Sequence, residues 1–284
     1  MRKAGMFHVV VLLSVLPSLR AFYHERRIPH AVFDQTMGDL ARNIRAFQKN
    51  RGYLGLDLYP AGARWFRAHH FAGMLFELGR LHFNFQPFGY DLHAYRHTAN
   101  REVVLLAGDQ MCFDDAGRPA QADDKEAWTA AFHPDARTIH GHRLRPETGR
   151  AARSLVNLPA GLWQPILGKG DPILGVHIHA DGPMAHDQCG ESFRRAMDFF
   201  PRHFPEYEIR AFTCNSWLMD HQFAKYLSPK SNIVRFLSEY YLFPFKAPSK
   251  MPGSSTWRSA ARWRSWTWTP NRRRHPCSER SCSM

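Results

Sequence analysis

Apolar residues recur at intervals of three and four through the first quarter of the chain. Leu16, Leu19 and Tyr23 share one helical face, and after Pro29 the residues Phe33, Met37, Leu40, Ile44 and Phe47 share another, on a helix that closes at Gly52. Trp65, Phe66, His69, Met74, Leu75 and Leu78 continue the spacing, so a small helical layer is predicted as far as residue 78. The period then shortens to two. "RLHFNF", "REVVLLAGDQMCFDDAGRP" with a turn at Asp115, "SLVNL" and "ILGVHIH" read as strands, while the stretch holding His140 and His142 reads as a loop. Helices return in "DQCGESFRRAMDFFPRHFP", stopping before Pro205, and in the short "DHQFAKYL"; "EIRAFTCNSWL" and "SNIVRFLSEYYLF" are further strands. This order is α+β: a helical N-terminal layer, then a mixed sheet with flanking helices. There is no internal repeat.

Composition alters this picture mainly at the ends. The chain has 284 residues, 44% of them hydrophobic, enough for a sizeable core, and a formal charge of +13. Almost half of that excess belongs to residues 251–284, with seven Arg and one Glu, so the body is only mildly basic and no nucleic-acid partner is expected. The same 34 residues hold four of the eight Trp without helical or strand period, which predicts a disordered basic tail. Its codons read one base out of register give a protein-like string, with Asp forced at each Trp-Thr step, so a frameshift near residue 250 is expected. Cys112, Cys189, Cys214, Cys277 and Cys282 are an odd number with no C-x-x-C pair, which points to reduced thiols and a cytoplasmic location. "MRKAGMFHVVVLLSVLPSLRA" has the basic start and apolar run of a secretory signal, but Pro17 and Arg20 crowd the cleavage position. The run looks too short to span a membrane, so a buried helix and no membrane partner are expected.

The chemistry gathers near "ILGVHIHADGPMAHDQCGESF", residues 173–193, where apolar alternation passes through an Asp-Gly-Pro loop into a helix. A strand that hands over to a helix N-terminus leaves backbone N–H groups unpaired, and these can hold a phosphate. His177 and His179 share a strand face, so with Asp181 or His186 they could also serve as ligands of a metal-dependent hydrolase. Packing suffices for His69, His70, Phe212, Cys214 and Trp217; Ser216 and Asp220 could cap the helix after them, and Arg235 could pair with a carboxylate.

"GVHIHADGPM", "FTCNSWLMD" and "SNIVRF", together with "RAFYHERRIPHAVFDQTMGDLARNI" and "HHFAGMLFELGRLHFNF", resemble a bacterial acyltransferase family with an N-acyltransferase N-terminal region and a GNAT-like C-terminal domain. The resemblance covers roughly residues 10 to 245. It implies a GNAT-like sheet over residues 79–250 behind an N-terminal region at 1–78, with a helix or more missing ahead of Met1. It also implies transfer of an acyl group from acetyl-CoA or another acyl-CoA to an amine. On this reading Ile178, His179, Ala180, Asp181, Gly182 and Met184 cradle the CoA pyrophosphate, and no metal is needed. His177 or Asp220 is the base, and Ser216 or Tyr226 protonates the departing thiolate. His179 and Asp181 stand where the family has Pro and Gly, and a carboxylate there would repel a phosphate. With the altered tail, that leaves a degenerate, inactive binding protein as the alternative.

Overall fold

The computed structural model describes residues 2–58, 62–179, 181–244 and 262–267. Four helices come first: α1 (Arg2–Ser14), α2 (Leu16–Glu25), α3 (His30–Arg51) and α4 (Ala63–Ala68). Gly52 ends α3 in the left-handed region at φ 76°, as its place after the last periodic residue requires. The helical pattern does not run on to residue 78. It breaks at Gly73 (φ 65°), where an added Cβ would sit 2.6 Å from the Phe22 ring, and Leu75–Leu78 is strand β1. All four β1 residues are buried, so both faces are covered and the sequence period could not separate strand from helix.

Two sheets and a small ribbon follow. In chain order the strands are β2 (Leu81–Pro87), β3 (Leu92–His97), β4 (Val103–Ala107), β5 (Cys112–Phe113), β6 (Trp128–Thr129), β7 (Phe132–Pro134), β8 (Thr138–Leu144), β9 (Ala151–Pro159), β10 (Trp163–Leu167) and β11 (Pro172–His177). Helix α5 (His186–His203), β12 (Ala211–Ser216), α6 (Phe223–Tyr226), α7 (Asn232–Ser238), β13 (Tyr241–Pro244) and β14 (Arg262–Thr267) complete the order. One sheet runs β1-β2-β11-β12-β14-β13; the other runs β10-β3-β4-β8-β7 with β9 beside β8, and β5 pairs β6. Within the first sheet only β11 and β12 are parallel, and α5 is the crossover between them.

Phe83, Phe85, Leu174, Val176, Phe212 and Cys214 point from one face of that sheet into a cluster with Phe193, Ala196, Phe199 and Phe200 of α5. Leu19, Tyr23, Phe33, Leu40 and Phe66 of the N-terminal helices join the same cluster, so helical layer and sheet share one core.

Several expectations are corrected. The segment with His140 and His142 is strand β8, paired along Thr138–Leu144 with β9. "SNIVRFL" is helix α7 rather than strand, because Ser231 caps it by accepting from Val234 N at 3.2 Å; only Tyr241–Pro244 is extended. The stretch read as a disordered tail contains β14, inserted between β12 and β13, whereas 245–261 and 268–284 lie outside the described residues. The N-terminal helices are only partly buried. Val9, Leu12, Leu19 and Tyr23 pack inward, but Phe7, Val10, Val11 and Leu13 are exposed, and Gly5–Glu25, with mean hydropathy 1.7, is by length and composition long enough to cross a membrane.

Candidate active site

Strand β2 alternates Phe83 and Phe85 on the core face with His82, Asn84 and Gln86 on the other. In the antiparallel register His177 lies opposite His82 and Gly175 opposite Asn84, so the second face of the sheet carries a polar row. Glycine at 175 leaves these side chains their place: a Cβ there would lie 2.4 Å from Asn84 Oδ1 and 2.5 Å from Gln86 Nε2, and both would have to turn away. Gln86 is turned to donate to Thr213 Oγ1 of β12 at 3.3 Å.

His177 is the last residue of β11. Its Nε2 donates to Asn84 Oδ1 at 2.9 Å, which leaves the Nδ1 lone pair available, and the Trp65 ring from α4 packs against the imidazole in a T-shaped contact. Burial, with the nearby imidazoles of His82, His69 and His70, pushes its pKa down to about 3, so the ring is neutral at physiological pH. The parallel pairing of β11 with β12 ends at Val176↔Cys214, and His177 stands just past that point.

The loop after β11 is held from below by one side chain. Arg80, in the β1–β2 turn and 9% exposed, donates to the carbonyls of His179 (3.2 Å), Gly182 (3.0 Å) and Pro183 (2.9 Å). Its own backbone N–H donates to Ser192 Oγ of α5 at 2.8 Å. The turn fits because residue 79 is glycine at φ 84°, where a Cβ would already be 3.0 Å from Ser192 Oγ. Ala185, at the N-cap of α5, provides no side-chain cap. His186, its first residue, accepts from Arg235 at 3.1 Å and donates from Nε2 to Glu239 at 3.1 Å; Arg235 therefore reaches an imidazole rather than the expected carboxylate.

Of the expected pyrophosphate cradle, Ile178 and Met184 turn their side chains into the core, leaving only backbone to a ligand. Gly182 is exposed at φ 74° with open space around it, and Ala180 lies outside the described residues. The ring of His179 is 5.1 Å from that of His82, and burial pushes its pKa down to about 4. Asp181 is not a bare charge: its Oδ2 is 3.1 Å from Arg42 Nε on α3. Among the described residues, neither cluster of possible metal ligands holds His177 together with His179, as the hydrolase reading expected. Ser216 reaches the same end of β12 and accepts from Leu218 N at 3.3 Å, capping a 3-10 turn. Asp220 is buried and accepts from Gln222 N at 3.0 Å, while Tyr226 is 81% exposed on α6.

Residues far apart in sequence complete the site. Arg42 bridges Glu77 (2.5 Å), Asp39 (3.4 Å) and Asp181, and Glu77 also contacts His82 Nε2 at 2.9 Å. Burial alone would raise both buried carboxyls, but the contact of His70 with Asp39, that of His82 with Glu77, and the Arg42 guanidinium beside both outweigh it and hold both below the usual range. The signal for Glu77 and Asn84 was present as polar residues at alternate positions of otherwise apolar strands; nothing marked Asp39, Arg42 or Arg80.

The sequence profile of an N-acyltransferase N-terminal domain matches residues 2–73, and that of a GNAT-like C-terminal domain matches residues 75–267. No curated protein matches the chain. Among solved structures, an acyltransferase in complex with decanoyl-CoA and teicoplanin is 25% identical with a TM-score of 0.51, over 88% of this chain and 52% of that one. An acyltransferase in complex with decanoyl-CoA is 24% identical with a TM-score of 0.50, over 91% and 64%. A mutant acyltransferase in complex with octanoyl-CoA is 24% identical with a TM-score of 0.50, over 85% and 49%. The chain thus spans between about half and two thirds of these relatives. Matched along most of its length, it belongs to the family that joins an N-acyltransferase N-terminal domain to a GNAT-like C-terminal domain.

Proposed function

We propose that the protein transfers an acyl group from acyl-CoA to an amine. The observation that carries the reading is the parting of β11 from β12 beyond Val176↔Cys214, at the point where β11 enters the Arg80-held loop ahead of α5. Unpaired strand backbone beside a thioester can polarise its carbonyl, and the uncapped first turn of α5 with the Arg80 charge behind it suits a pyrophosphate. Acyl-CoA complexes of the structural neighbours support the donor class.

In this reading the amine nitrogen attacks the thioester carbon and Nδ1 of His177 takes the proton the nitrogen sheds. The tetrahedral intermediate then expels the CoA sulfur, which receives a proton as the C–S bond breaks. His177 suits the base role better than Asp220, whose carboxylate is engaged in the turn at Gln222. Ser216, next to the strand opening, suits the thiolate donor better than the exposed Tyr226. Against the degenerate-copy reading, the Asp181 carboxylate is turned to Arg42 on α3 rather than standing bare beside the loop. A reducing cytoplasm fits the free thiols of Cys112, Cys189 and Cys214.

Calorimetric titration of decanoyl-CoA and acetyl-CoA into the full chain tests the reading, followed by an assay for free CoA with teicoplanin as the first acceptor. Saturable one-to-one binding and CoA release that depends on an amine are expected. A folded protein that binds neither thioester overturns it.

A further inference from the structure

Behind the polar row, where the N-terminal helices meet the sheet, Asp39, His70 and His82 converge with one ligand-capable atom each, all within 4.8 Å of one another. They come from α3, from the turn after α4 and from β2. All three are buried, His70 completely. His70 Nε2 is 3.1 Å from Asp39 Oδ2, yet neither ring nitrogen has an aligned hydrogen-bond partner. A fully buried imidazole whose Nδ1 has no partner and whose Nε2 meets only a misaligned carboxylate oxygen is costly. Close approach without hydrogen-bond alignment is what two ligands of one ion show, since bonds of ~2.0–2.1 Å place tetrahedral ligands about 3.4 Å apart.

We propose that Asp39, His70 and His82 form a buried site for one divalent cation of the zinc type, tying the helical layer to the sheet. Two imidazoles and a carboxylate are the donor set that a borderline ion favours. The oxygens of Asp39 are already divided, Oδ1 towards Arg42 and Oδ2 towards His70, so the guanidinium does not occupy the ion's side. Glu77 on His82 Nε2 is the outer carboxylate that fixes the orientation of a ligating imidazole. The neighbouring group of Glu77, His82 and His179 is a weaker candidate, because Glu77 is already satisfied by Arg42 and His82. Asp39, Glu77 and Asp181 set three carboxylates against the Arg42 charge, a balance that a dication improves. The proposal is independent of the acyl-transfer reading.

The test is zinc sulfate titrated into chelator-treated full chain by calorimetry, with metal content measured after gel filtration. Weak surface binding is expected from 17 histidines, so the comparison is among variants. One equivalent of tight zinc is expected in the parent and in His140→Gln, whose histidine lies on the other sheet. At least a tenfold loss is expected in Asp39→Asn, His70→Gln and His82→Gln, and about 10- to 100-fold in Glu77→Gln. No stoichiometric zinc in the parent, or zinc held equally by the variants, overturns the proposal. Should the variants misfold, cobalt in the parent decides: a strong visible absorption of a four-coordinate site supports it, and the pale spectrum of the hydrated ion overturns it.

Discussion

His177 combines a strand-end position, an Asn84 partner on one nitrogen and a half-buried ring, and each has a measurable consequence. His177→Gln is expected to keep acyl-CoA binding within a few-fold while lowering acyl transfer by about 100-fold or more, as read by calorimetry and CoA release. Its ring signal in proton NMR is expected to stay in the neutral position from pH 8 to pH 5. The same depressed pKa bears on stability. Because the folded value of about 3 lies below the ~6.5 of an unfolded histidine, the unfolded chain binds more protons between them, so stability is complete above pH ~6.5 and falls as the pH drops. His179, pushed down to about 4, adds in the same direction. Urea unfolding at pH 7.5 and 5.0 is expected to show the loss, smaller in His177→Gln.

At the scale of elements, the loop after β11 is positioned by two arginines from elsewhere in the chain. Arg80→Met removes the donors to the carbonyls of His179, Gly182 and Pro183, and is expected to weaken acyl-CoA binding at least tenfold with little change in the helix signal. Arg42→Met acts on the fold as well, because Glu77 and Asp39 are then buried without their guanidinium, a change that typically costs ~3–5 kcal/mol. Asp181→Asn removes only the exposed end of that network and is expected to change stability by less than ~1 kcal/mol, measured by the same unfolding. The different sizes follow from burial: Glu77 is almost wholly enclosed, whereas Asp181 lies at the surface.

Across the whole molecule, the shared core joins the two matched regions. Phe76 is fully buried with ring neighbours Tyr23 of α2, Phe85 of β2 and Phe199, Phe200 and Phe204 in and just past α5. Phe76→Ala is expected to cost ~3–5 kcal/mol, a large part of the stability of an ordinary domain, read as a lower Tm. A chain ending at residue 250 loses more than the disordered basic tail that the sequence predicted. It lacks β14, so β12 and β13 lose a common neighbour and present open edges, and aggregation on expression is expected.

The chain by itself determined the long helices and the strand-loop-helix unit. Their apolar periods and stops lie within single segments, as with the α3 face closing on Gly52 and α5 following the Asp-Gly-Pro loop. It also placed His177 at the end of a strand, and the motifs around it carried the family. Where both faces of an element are covered, or a local cap competes with an apolar run, the period loses its meaning; β1 and α7 were misread for those two reasons. Only the tertiary structure decided what surrounds His177 and the loop after it. Asn84, Arg80, Arg42, Glu77, Asp39 and His70 come from α3, the turn after α4 and the β1–β2 hairpin, and no local pattern encodes which buried charge will meet which. Those meetings are fixed by the register of β2 on β11 and by the packing of α3 against the sheet edge, since a buried charge is tolerated only where the fold brings it a partner.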